Sequence, residues 1–468
     1  MFRSISLFLG IFSIIISLFS VLNILYSYYF EFYLNIKSYW LCSLTSVIFG
    51  LLFIYLQKKD IQKINFFEKL FIVITGFFYF PVLISIPYFF GIYELSFIES
   101  YFESISGFTT TGFSIFNSPS NIDESLLIWR SSSQWLGGLY FLFSLFLLTD
   151  SSNLKIKLFF SNLEWLNLSE IKHQYLKILF IYSFLTLIIF FTFNFVNFRL
   201  FDSLNLSMTI ISSGGFLPSN SLLDIITNNN QKFFFTLSML IPLFNLYLFY
   251  NLFLKKFDIN NFYEDIYLAC FLIFVIFVSY IFLKDYYFFS NLFFSIVSSL
   301  SNIGFGMGDD FKGFAFFLLI LTIIGGSSFS TTSGLKFIKL YVLFKFSLKE
   351  IYSLVRPLYV YNTNLFLSKY KFKDTQIKNY FFTFIFFICC FFLLSWLLSF
   401  NNISFDKSLT ISILTLTNTV NSNNFALANF DFYQLSSLSK SFLILFMIIG
   451  RVELLGFLIL LKRFFLKN

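Results

Sequence analysis

The sequence predicts an all-α integral membrane protein with four covalently linked helix–pore loop–helix repeats around a central pore, plus two extra N-terminal helices. Three observations predict this fold class: an apolar composition, long hydrophobic segments, and a short motif that returns four times. Of the 468 residues, 57% are hydrophobic and only 12% are charged. A soluble domain carries roughly a quarter of its residues charged. The composition therefore places the chain in a membrane, with room for about ten spans of about 20 residues each and for half-membrane segments.

The recurring motif consists of small hydroxyl residues that end on Gly-Phe. It is most complete at 104–114, returns at 212–216 and 301–305, and has an eroded fourth version, Thr-Asn-Thr-Val-Asn, at 417–421. Each version follows a short apolar stretch and precedes a long one, which is typical of an internal repeat. Extended backbone at membrane depth is tolerated only where it is buried in protein or lines a water-filled path. Four such loops around one axis would form a ring of carbonyl oxygens that can replace a cation's hydration shell.

The elements follow one another in a regular order. Two apolar helices, about Ile5–Tyr29 and Trp40–Leu56, come first, and the lysine-rich segment 57–69 is expected on the cytoplasmic side. Each repeat then has a spanning helix, a re-entrant helix too short to span, a loop and a second spanning helix. In repeat 2 this second helix is predicted to run unbroken over 233–254. The predicted units are 1–69 for the N-terminal pair with its cytoplasmic loop, then 70–174, 175–258, 259–360 and 361–468 for repeats 1 to 4.

The charged and metal-binding residue types exclude several other functions. The net charge of +8 is expected to reflect basic cytoplasmic loops, so we expect no nucleic-acid partner. The four cysteines lie in apolar segments without metal-ligand spacing and are interpreted as small hydrophobic residues. The one histidine, His173, lies in a lysine-flanked loop. A multi-spanning membrane transferase, the alternative from another class, needs clustered acids or histidines at the membrane edge. We therefore expect no enzyme and no organic cofactor.

Three further segments carry recognisable motifs. Residues 129–138 read Trp-Arg-Ser-Ser-Ser-Gln-Trp-Leu-Gly-Gly, residues 325–336 form a glycine- and hydroxyl-rich break in a long apolar run, and residues 450–453 read Gly-Arg-Val-Glu. Together with the four loops, these segments resemble the TrkH/KtrB/HKT superfamily of potassium transporters. The extra N-terminal helix pair is most similar to the TrkH branch. The resemblance covers nearly the whole chain, with its motifs in the same order.

The resemblance implies a set of site residues. The transported ion, K⁺, would bind the carbonyls of filter residues Thr110, Thr111, Gly112, Ser213, Gly214, Gly215, Asn302, Ile303, Gly304, Val420 and Asn421. An intramembrane gate would include Gly325, Gly326, Ser327, Thr331, Gly334 and Lys336. Arg451 would place a fixed charge beside the ion pathway, and Arg130, Gln134 and Glu453 would support the filter. In the fourth loop, Asn421 is expected where the superfamily has glycine. A sodium-selective or sodium-coupled transporter of the same superfamily therefore stays an alternative.

The resemblance also implies a cellular setting. The chain would be the multi-pass, ion-translocating subunit of a Trk-type potassium uptake system in the bacterial cytoplasmic, or inner, membrane. Symport is the expected class of transport, and the coupling ion is left open. The expected partners are membrane lipid, a second copy of the chain in a homodimer, and a cytosolic nucleotide-binding regulatory subunit of TrkA type.

Overall fold

The fold is helical and the predicted fold class is confirmed. The computed structural model describes residues 2–56, 66–149, 171–255, 261–308, 313–355, 372, 374–401, 403–427 and 430–452. Its α-helices are Phe2–Tyr29, Ile36–Tyr55, Phe66–Ile84, Ile86–Phe89, Phe97–Phe108, Glu124–Thr149, Ile171–Phe195, Leu200–Ile211, Asn229–Ser238, Leu246–Phe253, Tyr263–Leu283, Phe289–Leu300, Ala315–Ile323, Phe337–Val355, Asp374–Ser399, Phe405–Leu416 and Ser437–Arg451. A short parallel β pairing joins Ile324–Gly325 to Leu335–Lys336. Within these ranges, six helices are long and apolar enough to cross a membrane, or seven if a bent pair counts as one span.

The two N-terminal helices form a tightly packed pair beside repeat 1. A Cβ atom on Gly10 would lie 2.8 Å from the carbonyl oxygen of Gly50, so the two helices meet through small residues. The Asn23 side chain donates a 3.0 Å hydrogen bond, of ordinary length, to the carbonyl of Ser125 in repeat 1. Large apolar side chains such as Leu18 and Leu25 are exposed on the outer face. This face suits contact with lipid.

Each repeat contributes one re-entrant helix of 12 residues. At 1.5 Å per residue such a helix is about 18 Å long, which is too short for a hydrocarbon core of about 30 Å. We name these helices pore helix 1 (Phe97–Phe108), pore helix 2 (Leu200–Ile211), pore helix 3 (Phe289–Leu300) and pore helix 4 (Phe405–Leu416).

The four repeats close into a ring. The second helix of repeat 1, Glu124–Thr149, packs on pore helix 2, and Asn229–Ser238 of repeat 2 packs on pore helix 3. Ala315–Ile323 of repeat 3 packs on pore helix 4, and Ser437–Arg451 of repeat 4 packs on pore helix 1. The ring order is therefore 1–2–3–4. Repeats 2 and 4 face each other across its centre, as do repeats 1 and 3.

The second helix of repeat 2 differs from the prediction of one helix over 233–254. It forms two helices, with a bend of 104° between Asn229–Leu243 and Leu246–Phe253. Pro242, which lacks an N–H, lies in a single 3₁₀ turn at the bend. Asn245 begins the second part, because its side-chain oxygen accepts a 3.0 Å hydrogen bond from the Tyr247 N–H. The prediction of an unbroken helix is wrong because Pro242 and Asn245 together end one helix and begin another.

Candidate functional site

The four loops that follow the pore helices share one backbone conformation. We number them filter loops 1 to 4 after their pore helices. The second residue after each pore helix is left-handed, with φ of +59° at Thr110, +57° at Ser213, +57° at Asn302 and +46° at Asn418. In each loop the N–H of this residue donates to the carbonyl three residues earlier, over 2.9–3.3 Å. A left-handed residue with such bonds is a common way to end a helix. The four loops therefore leave their pore helices through the same kind of turn.

The fourth loop has a different register from the one predicted. The residue two positions after the left-handed one is Gly112, Gly215 and Gly304 in the first three loops, and Val420 in the fourth. The prediction that Asn421 occupies the glycine position is therefore wrong. Asn421 corresponds to the phenylalanines that follow the glycines, and its side-chain nitrogen donates 3.1 Å to the Leu427 carbonyl. The loop contains no glycine, so the end of pore helix 4 sets the register.

The loops converge on a common centre. A Cβ atom on Gly112 would lie 2.7 Å from the Gly215 Cα atom, and one on Gly215 would lie 2.3 Å from the Val420 Cβ atom. A Cβ atom on Gly304 would lie 2.6 Å from the Val420 carbonyl oxygen. These approaches are closer than any real Cβ contact, so the three positions require glycine. The structure thus brings the predicted filter residues together, with Asn421 just beyond the ring.

The carbonyl oxygens of the converging loops are left without protein donors. Within the described residues, no hydrogen bond is accepted by the carbonyls of three residues in each loop. These residues are Thr110, Thr111 and Gly112; Ser213, Gly214 and Gly215; Asn302, Ile303 and Gly304; and Asn418, Thr419 and Val420. Buried backbone carbonyls are nearly always paired in proteins. A ring of unpaired carbonyls at a buried centre therefore fits a bound cation.

Side chains, in contrast, tie the loops to one another. The Asn418 side chain donates a 2.9 Å hydrogen bond to the Thr111 hydroxyl, which joins loops 4 and 1. The Asn302 side chain lies 3.3 Å from the Thr419 hydroxyl, joining loops 3 and 4. The carboxyl ends of all four pore helices point to this centre, and their partial negative charge favours a cation.

A cavity of about 530 Å³ lies against the glycine level of the loops. Gly112, Gly215 and Val420 line its base, and Asp431 and Arg130 are among the residues of its wall. We call this cavity the vestibule. A space of this size admits a hydrated cation to the ring.

Comparison with known proteins identifies a similar fold and several related sequences. No family model matches the chain. The chain is similar to a solved structure titled the potassium transporter TrkH from Vibrio parahaemolyticus, with a TM-score of 0.83, 20% identity and 98% of each chain covered. It is 25% identical over 440 residues to the Trk system potassium uptake protein TrkG of Escherichia coli, covering 88% of each. The chain thus has the fold of the TrkH structure and is similar in sequence to Trk proteins over most of its length.

Two other relatives align over part of their length. The chain is 28% identical over 286 residues to an uncharacterized cation transporter of Methanocaldococcus jannaschii, and spans 57% of that relative. It is 24% identical over 286 residues to the Trk system potassium uptake protein TrkH of Halomonas elongata, and spans 59% of it. The apolar helices and these relatives indicate a multi-pass protein of the cytoplasmic, or inner, membrane.

A buried ion pair lies behind filter loop 1. The Arg130 Nε atom lies 2.9 Å from Glu103 Oε1, and both side chains are at most 2% exposed. Glu103 also accepts a 2.8 Å hydrogen bond from the Ile115 N–H, just after the loop. The Arg130 guanidinium donates 2.8 Å to the Ser114 hydroxyl and lies 4.2 Å from the ring of Phe216 in repeat 2. The sequence prediction included Arg130 and missed Glu103.

Gln134 lies one helical turn from Arg130 and contacts filter loop 2. Its side-chain oxygen accepts a 3.3 Å hydrogen bond from the Phe216 N–H. A Cβ atom on Gly214 would lie 2.3 Å from that same oxygen, so the loop passes directly over the amide. Glu453, the third predicted support residue, lies outside the described residues.

Two lysines bind the repeats together near the beginnings of pore helices. The Lys440 ammonium in repeat 4 lies 3.0 Å from Glu99, the third residue of pore helix 1. Lys232 in repeat 2 donates to Asn291, the third residue of pore helix 3. Both lysines stand four residues after the N-cap of their helix. The two contacts are therefore related by the pseudo-twofold symmetry of the ring, which the sequence prediction did not identify.

Four of the predicted gate residues, Gly326, Ser327, Thr331 and Gly334, lie in one largely buried loop, residues 326–334. The other two, Gly325 and Lys336, lie in the two short strands that flank this loop. Its backbone packs into the bend of repeat 2 through two hydrogen bonds. The Ser327 N–H donates a 3.0 Å bond to the Leu243 carbonyl, and the Phe329 carbonyl accepts a 3.1 Å bond from the Leu246 N–H. The Thr331 hydroxyl donates 2.9 Å to the carbonyl of Ile211, the last residue of pore helix 2. The loop therefore contacts the base of the filter directly. We name residues 326–334 the intramembrane loop.

Two buried cationic side chains adjoin the intramembrane loop. The Lys336 ammonium donates 2.8 Å to the Thr332 carbonyl, and an Arg451 nitrogen lies 2.5 Å from the Ser333 hydroxyl. The Lys336 ammonium and the Arg451 guanidinium lie 5.4 Å and 4.1 Å from the centre of the same Phe141 ring. The structure thus places Arg451 at the loop.

Proposed function

We propose that this chain takes up potassium across the cytoplasmic membrane as the ion-translocating subunit of a Trk-type system. The observation that carries the proposal is the set of carbonyl oxygens, three in each of four converging loops, that accept no hydrogen bond within the described residues. Such oxygens can replace the hydration shell of an alkali cation. The names of the Trk relatives support potassium as the ion.

In this proposal the cation enters from the vestibule and passes the carbonyls of the filter loops. The filter residues are those predicted, except that Asn418, Thr419 and Val420 supply the fourth loop in place of Val420 and Asn421. The Arg130–Glu103 pair and Gln134 hold loops 1 and 2 from behind. These residues have a positioning role, since they contact backbone and side chains in or next to the loops.

We propose the intramembrane loop as the gate. It is held by hydrogen bonds to the bend of repeat 2 and to the end of pore helix 2. Gly334, with φ of +71°, and Gly326 allow the chain to turn at its two ends. Lys336 and Arg451 place positive charge beside the loop, and like-charge repulsion there would shorten the stay of a cation.

The proposed partners follow from the Trk relatives. A homodimer and a cytosolic nucleotide-binding regulatory subunit of TrkA type fit a protein of this system. Co-purification of the full chain with such a subunit, with and without nucleotide, tests the second contact.

The proposed function is tested by rescue of potassium-limited growth in a transport-deficient host, with rubidium and sodium uptake measured alongside. We expect the wild-type chain to restore growth and to take up rubidium. Gly112→Ser should weaken discrimination against sodium, because a side chain at this left-handed position must push loop 2 away. Gly313→Ser is the matched control, since a Cβ atom on Gly313 meets nothing within 4 Å. Failure of growth rescue by a membrane-inserted wild-type chain would falsify the proposal.

The sodium alternative is tested in the same assay. Its basis is Asn421, which follows Val420 in the fourth loop and whose side chain donates a hydrogen bond to the Leu427 carbonyl. Sodium uptake at or above the rubidium rate in the wild-type chain would restore this alternative.

A further inference from the structure

Val420 occupies the position that glycine occupies in the other three filter loops. Loops 2 and 4 face each other across the centre, because the repeats pack in the ring order 1–2–3–4. The Val420 side chain nevertheless reaches loop 2. A Cβ atom on Gly215 would lie 2.3 Å from the Val420 Cβ atom and 2.9 Å and 3.0 Å from its two methyl carbons. The isopropyl group therefore fills the space in which a side chain on Gly215, in the opposite loop, would lie.

The neighbours of Val420 leave this side chain little room to move. A Cβ atom on Gly304 would lie 2.6 Å from the Val420 carbonyl oxygen and 3.1 Å from its nitrogen, so loop 3 packs against the Val420 backbone. Branching at Cβ restricts rotation about χ1. Val420 is 9% exposed, and it lines the base of the vestibule. Its apolar surface thus lies where an entering cation must exchange water for carbonyl oxygens.

An apolar group at this point opposes the exchange. A valine side chain offers no oxygen to the ion, and a charge that loses water without a polar replacement is strongly destabilised. With glycine at the same position, only the backbone of the four loops would line the opening, and no apolar side chain would block it.

We propose that Val420 is an apolar plug at the vestibule end of the filter and that it limits alkali-cation flux through this chain. The inference rests on the proposed transport function and adds a flux-determining residue to it. The plug is a property of the side chain, so its removal should increase flux without any change in the rest of the filter.

The test is rubidium uptake into proteoliposomes containing the full-length chain. We expect Val420→Gly to raise the uptake rate about tenfold or more, which corresponds to about 1.4 kcal/mol of barrier. Val420→Ala should give an intermediate rate, because it keeps Cβ and removes both methyl groups. Val275→Ala is the matched control: it removes the same two methyl groups from a buried valine of the spanning helix Tyr263–Leu283, so its uptake rate should equal the wild-type rate. Asn421→Gly tests the alternative register, in which Asn421 takes the glycine position.

The outcomes separate the plug from the transport function. If the wild-type chain takes up rubidium and both Val420 variants match its rate, the plug is refuted and transport stands. If Asn421→Gly raises flux and the Val420 variants do not, the fourth loop has the predicted register and the plug is again refuted. If neither wild type nor any variant takes up an alkali cation, the proposed function fails and the inference fails with it. Should Val420→Gly not yield a monodisperse protein, Val420→Ala gives the same decision with a smaller increase.

Discussion

The ion pair between Arg130 and Glu103 provides the sharpest quantitative prediction. Both side chains are at most 2% exposed and are joined over 2.9 Å. Removal of one partner from a buried pair typically costs about 3–5 kcal/mol, because the other charge is left buried and unpaired. We therefore expect Arg130→Met and Glu103→Gln each to lower the free energy of unfolding by about 3 kcal/mol or more.

The double variant distinguishes the pair from two independent contributions. Arg130→Met with Glu103→Gln removes both charges, so its cost should be well below the sum of the two single costs. Glu103→Gln keeps a side-chain oxygen that can accept from the Ile115 N–H, which donates to Glu103 over 2.8 Å in the wild-type chain. The loop bond can therefore persist while the charge is removed.

The assay is denaturant unfolding of the purified chain in mixed micelles, with the rubidium-to-sodium uptake ratio measured on the same preparations. We expect the double variant to regain protein yield but not full ion discrimination, since Ser114 then loses the 2.8 Å hydrogen bond that its hydroxyl accepts from the guanidinium. Single variants within about 0.5 kcal/mol of wild type, the range of ordinary surface substitutions, would refute the reasoning. So would single costs that add in full in the double variant.

Three other predictions follow from contacts around the filter. Gly137→Ala should lower the free energy of unfolding by about 3 kcal/mol or more, because its Cβ atom would lie 1.9 Å from the Phe108 carbonyl oxygen. The control Gly313→Ala has open space around its Cβ atom and should unfold like wild type. Lys440→Met should lower both the thermal unfolding midpoint and the rubidium-to-sodium uptake ratio, because it removes the ammonium that lies 3.0 Å from Glu99 at the start of pore helix 1. An unchanged uptake ratio would show that this contact does not position the filter. Deletion of 327–332 should raise rubidium flux by removing the proposed gate, and unaltered flux in a well-inserted protein would contradict that role.

The repeat architecture could be predicted from the sequence because its signals are local. Each pore helix is a short apolar stretch that ends in a hydroxyl-rich loop, as in pore helix 3, Phe289–Leu300, which is followed by Ser301 and Asn302. Three of the loops carry a glycine before phenylalanine, at Gly112, Gly215 and Gly304. Where the backbone must pass close to another backbone, glycine is required, so these glycines fix the register of their loops in the sequence.

The register of the fourth loop could not be read in this way. It has no glycine, and both Val420 and Asn421 fit a pattern of small and polar residues. The left-handed conformation falls on Asn418, at φ of +46°, and only the end of pore helix 4 at Leu416 fixes this position. Helix ends are among the least certain features of a sequence-based prediction.

Contacts between distant segments were also missed. Glu103 and Arg130 are separated by 27 residues and belong to different helices, so no local pattern joins them. The bend of repeat 2 contains Pro242, but its backbone is completed by the intramembrane loop more than 80 residues later, through Ser327 and Phe329. A tertiary partner of this kind leaves no mark on the sequence of the bend itself.

The most direct test of the converging filter is a structure of the chain determined with thallium, a heavy substitute for potassium. The account predicts thallium density on the ring axis, within coordinating distance of the carbonyls of Thr111, Gly214, Ile303 and Thr419. Thallium bound only elsewhere, or an axis without density at saturating thallium, would contradict it.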